Sequence, residues 1–108
     1  MTEILNAVLD LLSRMLSDDA RVRERAADES VDMIQSLQLL GPVVAGVLVT
    51  SRLVEHDHDA QEAQLHALAE LHEWGLVTKE ARELLCRIDL RSVDARQVEY
   101  LGYLLDGE

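Results

Sequence analysis

The chain has 108 residues, of which 21 are acidic and ten are basic, giving a formal net charge of −11. A single domain over residues 1–108 is expected, because a chain of this length buries roughly two thirds of its unfolded surface in one core. The acidic balance argues against nucleic acid as a direct ligand, since phosphate contacts need lysine and arginine, and it is compatible with a basic protein partner.

Apolar residues at helical spacing predict two helices in the first forty residues. The first begins at Thr2, its expected cap, and runs to about Leu16. Ser17 is the expected N-cap of the second, which places Asp19 in the first turn. The second helix is expected to stop before Gly41 and Pro42, because proline is tolerated only at the start of a helix.

The stretch from residue 43 to 54 is apolar nearly all round and is predicted to be the central, most buried helix. Four valines between 43 and 49 leave a strand open as the alternative. The helical pattern on both sides favours helix, because a single strand would have nothing to pair with.

Three further helices are predicted from a capping side chain followed by apolar residues at helical spacing. With their caps and ends, they are Asp57 to Gly75, Thr78 to Ile88 and Ser92 to Leu105. Gly75 is expected to end its helix in the left-handed conformation, and residues 106–108 are expected to fray.

Three of these helix starts share one pattern: a capping residue, any residue, Asp, Ala, then Arg or Gln. The copies are residues 17–21, 57–61 and 92–96, and their third-position aspartates lie 40 and 35 residues apart. Eight residues beyond each of these aspartates lies a small residue: Ala27, Ala67 and Gly102. A repeat of this length is typical of two-helix solenoid units, whose small residues let neighbouring helices approach closely.

The repeat resembles HEAT-like α-solenoid repeats, and residues 19–27 are most similar to the first helix of such a unit. The resemblance implies an all-α fold of five or six short helices, packed as antiparallel pairs in a HEAT-like stack. A generic six-helix bundle with well-capped helices is the alternative.

The negative charge is concentrated in the middle of the chain. Residues 26–78 contain nine acids and one base, Arg52, whereas residues 1–25 and 79–108 have net charges of only −1 and −2. Eight carboxylates of the middle segment are the candidate partner-binding residues: Asp28, Asp32, Glu55, Asp57, Asp59, Glu62, Glu70 and Glu73.

Four of these carboxylates recur at helical spacing on the fourth helix: Asp59, Glu62, Glu70 and Glu73. Like charges at this spacing destabilise a helix, so an uncompensated row indicates a docking surface for a basic protein, where charge increases the association rate. A solvated outer face without a partner is the alternative.

Other chemistry has weaker support in the sequence. His56 and His58 are weak candidates for a divalent metal, and His58 shares a helical face with Glu62 and His66. No nucleophile motif or phosphate-binding loop is present, so we expect no enzymatic activity and no cofactor. Cys86 is the only cysteine and is expected to be a buried, inert thiol.

Small size, acidity and a helical scaffold together resemble the immunity proteins of bacterial toxin–immunity systems, including contact-dependent inhibition. This resemblance implies that the chain neutralises a basic, nuclease-like toxin domain by docking its acidic face on it. A HEAT-like adaptor in a larger complex and a small metal- or ligand-responsive regulator are the alternatives. The start lacks a basic leader and residues 39–49 are too short an apolar run to span a bilayer, so we expect no membrane contact and a cytoplasmic location.

Overall fold

The computed structural model describes residues 2–106, and within this range every regular element is helical. The α-helices are α1 (Thr2–Met15), α2 (Ala20–Ser36), α3 (Gly41–Val54), α4 (His58–Glu73), α5 (Lys79–Leu84) and α6 (Ala95–Asp106). Three short 3₁₀ turns are Gln38–Leu40, Leu85–Arg87 and Leu90–Ser92. The predicted all-α class and the helical assignment of residues 43–54 are confirmed. Asp106 still belongs to α6, and the expectation of fraying at residues 107–108 lies outside the described residues.

Two of the predicted N-caps are confirmed, and so is the end of α4. Asp57 accepts a hydrogen bond from the Ala60 amide at 2.9 Å, and Thr78 caps α5 in the same way. Gly75 has a φ of 73° and ends α4 as expected, since a side chain at this φ would be strained.

Two other predicted caps were wrong. Asp19, rather than Ser17, accepts from the Arg21 amide at 2.9 Å and caps α2. Asp94, rather than Ser92, accepts from the amide of the third residue beyond it at 2.9 Å at the start of α6. In both places a carboxylate lies two residues after the serine, and it is the closer acceptor for the free amides of the first turn.

The helices pack in two layers, in which α4 lies between α2 and α6, and α3 lies between α1 and α5. The backbone is only 18 Å thick along its shortest axis, which fits two layers of helices spaced 8–10 Å apart. α3 and α4 supply much of the buried core between the layers, including Val44, Leu48, Leu65 and Leu68. The uniformly apolar α3 is helical because it contacts both neighbours in its own layer and α4 in the other.

Small residues line the contact between α2 and α4, as predicted for two of the three positions. Ala27 and Ala67 are fully buried. Gly102 is exposed, and a Cβ added to it would meet nothing within 4 Å, so the third prediction was wrong. Gly41, by contrast, lies at a position where only glycine fits. It is buried so close to Leu76 that an added Cβ would lie 2.7 Å from the leucine side chain.

The helices α2, α4 and α6 run in one direction, with their N-termini at the same end of the layer. Arg21 at the start of α2 meets Asp59 at the start of α4, and Asp28 lies near His66 farther along both helices. Contacts between α4 and α6 advance together along both helices: Glu62 meets Arg96 near the start, and His72 meets Tyr103 farther along. Among the described helices, none has both the length and the apolar character required to cross a lipid bilayer.

Candidate functional site

The site begins with the three capping aspartates of one layer: Asp19, Asp57 and Asp94. They lie 38 and 37 residues apart, a more even period than the sequence pattern showed. The difference arises because α4 is capped by the first residue of its pattern, whereas α2 and α6 are capped by the third. Residues at the same distance from the capping aspartate therefore lie side by side on the three helices at one end of the layer.

Arginines of α2 and α6 reach the carboxylates of α4. Arg21 donates to Asp57 through Nη2 and to Oδ2 of Asp59 through Nη1, the latter at 3.1 Å. Arg96 donates through Nη1 to Oε1 of Glu62 at 3.2 Å. The prediction of an uncompensated row was therefore wrong for the first half of α4, because the bases that neutralise it come from neighbouring helices.

Glu55 is the largest departure from the predicted acidic face. It is only 7% exposed and accepts from Nε and Nη2 of Arg23 at 2.7 and 2.8 Å. Gln64 and the Asp57 amide donate to the same carboxylate at 2.9 and 3.2 Å. Burial alone would raise the pKa of Glu55, but these donors outweigh it and lower the pKa to about 2. Glu55 thus belongs to an internal ion pair, and its placement on an exposed face was wrong.

Asp57 also has an internal role, since it caps α4 and pairs with Arg21. Asp32 lies on another surface and lines a groove with Arg14 and Glu29, beside α1. The eight predicted partner-binding carboxylates are therefore divided between the interior and more than one surface.

A groove of about 470 Å³ crosses the exposed face of the layer formed by α2, α4 and α6. Four carboxylates line it: Glu24, Asp28, Asp59 and Glu62. The remaining lining residues are Ala63, His66, Arg96 and Tyr100. The groove therefore has a negative lining with one arginine on its α6 side.

Asp28 is the carboxylate of this groove that makes no ion pair among the described residues. Partial desolvation raises the pKa of Asp28, and the nearby His66 opposes that shift. Farther along α4, Glu70 lies 3.6 Å from His66, and Glu73 is exposed without an ion pair to a described residue. On the face that carries this groove, three predicted carboxylates thus remain available for an external cation: Asp28, Glu70 and Glu73.

One cluster has the ligand types of a divalent metal site. The ligand atoms of His58, Glu62 and Asp94 all lie within 4.8 Å of one another. Nε2 of His58 is hydrogen-bonded to Asp94, which, with Asp59, raises the pKa of His58. His56 does not join the cluster, since it lines grooves on the other side of the α3–α4 connection. Imidazole and carboxylate ligands in this number suit zinc with water completing the coordination.

The sequence pattern did not identify the residues contributed by neighbouring helices: Arg21, Glu24, Asp94 and Arg96. Aligning the three helices on the caps that the structure shows places Arg21, Asp59 and Arg96 at equivalent positions. The charges at these positions are positive, negative and positive along the three helices, and this alternation was the signal that could have predicted the ion pairs. The sequence pattern concealed it, because it aligned α4 two residues out of step with α2 and α6. Cys86 was also predicted wrongly, because it is exposed.

No protein-family model, curated protein or solved structure matches the chain. The resemblance to HEAT-like repeats and to immunity proteins therefore stays a prediction from the sequence.

Proposed function

We propose that this protein is a non-catalytic binding module whose acidic groove docks on a basic domain of another protein. The observation that carries the proposal is the groove itself, with four carboxylates and one arginine in its lining. Asp28 lies in this groove without an ion-pair partner among the described residues. An arriving lysine or arginine would find an acceptor there without displacing an existing pair.

The most specific form of the proposal is that the partner is a nuclease-like toxin domain and that this chain is its immunity protein. The support is the resemblance in size, acidity and helical scaffold, together with the packing of α4 against both α2 and α6. Glu70 and Glu73 continue the negative charge along α4 beyond the groove. Complementary charge of this kind accelerates association and suppresses wrong partners more than it adds affinity.

The test is a comparison of two charge-neutralised proteins. Affinity capture from the native cell, followed by mass spectrometry, first identifies the partner, and stopped-flow mixing then measures its association rate. The triple variant Asp28→Asn, Glu70→Gln, Glu73→Gln is expected to slow association about tenfold or more at low salt and much less at 0.5 M salt. The control variant Glu3→Gln, Glu80→Gln, Glu83→Gln makes the same charge change on α1 and α5 and is expected to bind almost normally.

Equal association rates for the two triple variants at low salt would show that the acidic groove and its continuation along α4 do not take part in docking. A partner without a basic surface would contradict the proposal at its first step. The immunity form is tested separately by whether the chain protects cells, or a nucleic acid substrate, from the captured partner.

An adaptor function has its own supporting observation. Apolar side chains of α1 and the 3₁₀ turn after α2 are exposed together, and Leu39 is 93% accessible. With Ile4 and Leu5 it helps to line an apolar groove of about 270 Å³. Exposed apolar surface of this kind indicates a contact with another subunit. Substituting Leu39 by Ser would release the chain from such a complex in gel filtration without impairing the acidic groove.

The metal-responsive alternative is supported by the cluster of His58, Glu62 and Asp94. Zinc is expected to raise the melting temperature if this function is correct, and His58→Gln should abolish that rise. His56→Gln is the matched control. A zinc response that persists in His58→Gln would assign the metal elsewhere.

A further inference from the structure

Arg52 is a buried cation that makes no ion pair with a described residue. It lies in the last turn of α3 and is only 4% exposed. Nη2 donates to the neutral Oε1 of Gln97 at 2.9 Å, while Nε is buried without a hydrogen-bond partner among the described residues. Burial lowers the pKa of the guanidinium, and the negative charge of Glu55 only partly opposes that shift. A buried charge normally has an ion-pair partner, because desolvation is otherwise uncompensated.

The nearest candidate counter-ion is already occupied. Glu55 lies one helical turn beyond Arg52, but both of its oxygens accept from Arg23. Gln64 uses a further acceptor position of the same carboxylate. The positive charge of Arg52 is therefore balanced only at a distance, and Nη1 makes no hydrogen bond to any described residue.

Arg52 lines a groove of about 560 Å³ between the end of α3, the start of α4 and the segment from 87 to 92. A second cation, Arg87, lies in the same lining and is exposed without an ion pair to a described residue. Asp89 also lines the groove, but both of its oxygens accept hydrogen bonds from Arg91. Leu53, Val54 and Ile88 give the groove an apolar wall.

We propose that this groove binds a small monocarboxylate with an apolar body, held through its carboxylate by Arg52 and Arg87. A guanidinium presents paired N–H donors that match a carboxylate, and such charge-assisted hydrogen bonds are strong where water is excluded. The apolar wall accommodates the body of the ligand. A dianionic phosphate fits less well, since Glu55 and Asp89 share the lining and the whole chain is strongly negative.

The experiment titrates the full chain with octanoate and follows binding by calorimetry and by the melting temperature. Octanol carries the same body without the charge, and inorganic phosphate carries charge without the body. Octanoate is expected to bind and stabilise the protein, and the two other probes are expected to bind far more weakly. Arg52→Met is expected to lower octanoate affinity about tenfold or more, because it removes the charged donor.

Two more variants keep the result interpretable if Arg52→Met does not fold, which circular dichroism will show. Arg52→Lys keeps the charge without the fork and should retain part of the affinity, while Arg87→Gln, on the rim, should weaken binding about threefold or more. Arg25→Gln, at an exposed position on α2 outside the lining, is the matched control and should bind octanoate normally.

Three results would overturn the proposal. Absence of octanoate binding is one, and equal binding of octanol or stronger binding of phosphate is the second. The third is an affinity that stays the same in both Arg52→Lys and Arg87→Gln. Each would leave Arg52 as a structural donor to Gln97. None of these results bears on the acidic groove, because the two grooves share no lining residue and the acidic groove is tested with its own protein partner.

Discussion

Two polar clusters lie within one helical turn at the end of α3, and they differ in how completely their hydrogen bonds are made. Glu55 receives two bonds from Arg23 and one each from Gln64 and the Asp57 amide. Arg52 is similarly buried, but within the described part of the chain its side chain donates only to a neutral amide oxygen. The first is a charge with a full set of partners, and the second is a charge with a partial set.

This difference separates a structural cluster from a candidate site. A buried ion pair with all partners present is strongly destabilised when one member is removed. A buried charge with too few partners reduces stability while it remains, and such a violation is expected mainly where function requires it. The two clusters are therefore expected to respond to substitution in opposite ways.

Glu55→Gln is expected to have the largest effect, a loss of about 3 kcal/mol or more in the free energy of unfolding. The neutral amide leaves Arg23 partly buried without a counter-ion, which is the costly case for an ion pair. Urea denaturation at pH 7 measures the loss. Glu73→Gln is the matched control on an exposed position and should change stability by no more than about 0.5 kcal/mol. A loss below about 1 kcal/mol for Glu55→Gln would mean that the ion pair of Glu55 and Arg23 does not stabilise the fold.

The pH dependence of this loss is the second prediction. The pKa of Glu55 is lowered from 4.5 to about 2 on folding, so the charged form contributes stability above pH 4.5. That contribution, about 3 kcal/mol, disappears as the pH falls from 4.5 towards 2. The gap between the native chain and Glu55→Gln should therefore narrow steadily in urea titrations at pH 6, 4 and 3. A gap that stays constant over this range would show that the carboxylate charge is not the source of the stability.

Gln97→Leu tests the second cluster and is expected to cost about 1–3 kcal/mol, because it removes the acceptor of Nη2 of Arg52. The double variant Arg52→Met, Gln97→Leu should recover part of this loss, since replacing both partners by apolar groups removes the desolvated charge. Urea denaturation without added carboxylate measures both. Gln35→Leu, at an exposed position on α2, is the control. A double variant as unstable as the sum of the two single ones would show that Arg52 is fully compensated.

Neither cluster could be predicted from the sequence, whereas the helices and several of their ends could. Helical spacing and capping residues predicted six helices, the conformation of Gly75 and the caps Asp57 and Thr78, because these depend on residues near in sequence. The ion pairs of Glu55 and Asp59 join residues more than 30 positions apart, and no local pattern contains that information. Counting charge along the chain therefore overestimated how many carboxylates are free, and it assigned no role to Arg52, the one base of the acidic segment.

The exposed pair of Arg96 and Glu62 is expected to contribute less than either buried cluster, since solvent screens it. Arg96→Gln should lower the melting temperature less than Gln97→Leu does, and the effect of Arg96→Gln should become smaller still at 0.5 M salt, which screens the ion pair. Arg25→Gln, which removes the same charge from an exposed position on α2, is the control. An Arg96→Gln effect as large as that of Gln97→Leu would place this pair with the structural cluster.

The smallest expected effect concerns His58, whose pKa is raised by its hydrogen bonds to Asp94 and Asp59. A raised pKa on folding means that protonated His58 adds stability below pH 6.5, and that this is lost as the pH rises through the folded pKa. Asp94→Asn keeps a capping side chain on α6 but removes the charge, so the NMR-measured pKa of His58 should fall. Asp32→Asn, on the α1 side, should leave it unchanged. A His58 pKa that is the same in both variants would mean that Asp94 does not hold the imidazolium, and α4 and α6 would then be joined at this end through the bonds of Arg96 to Glu62 and of Gln97 to Gln61.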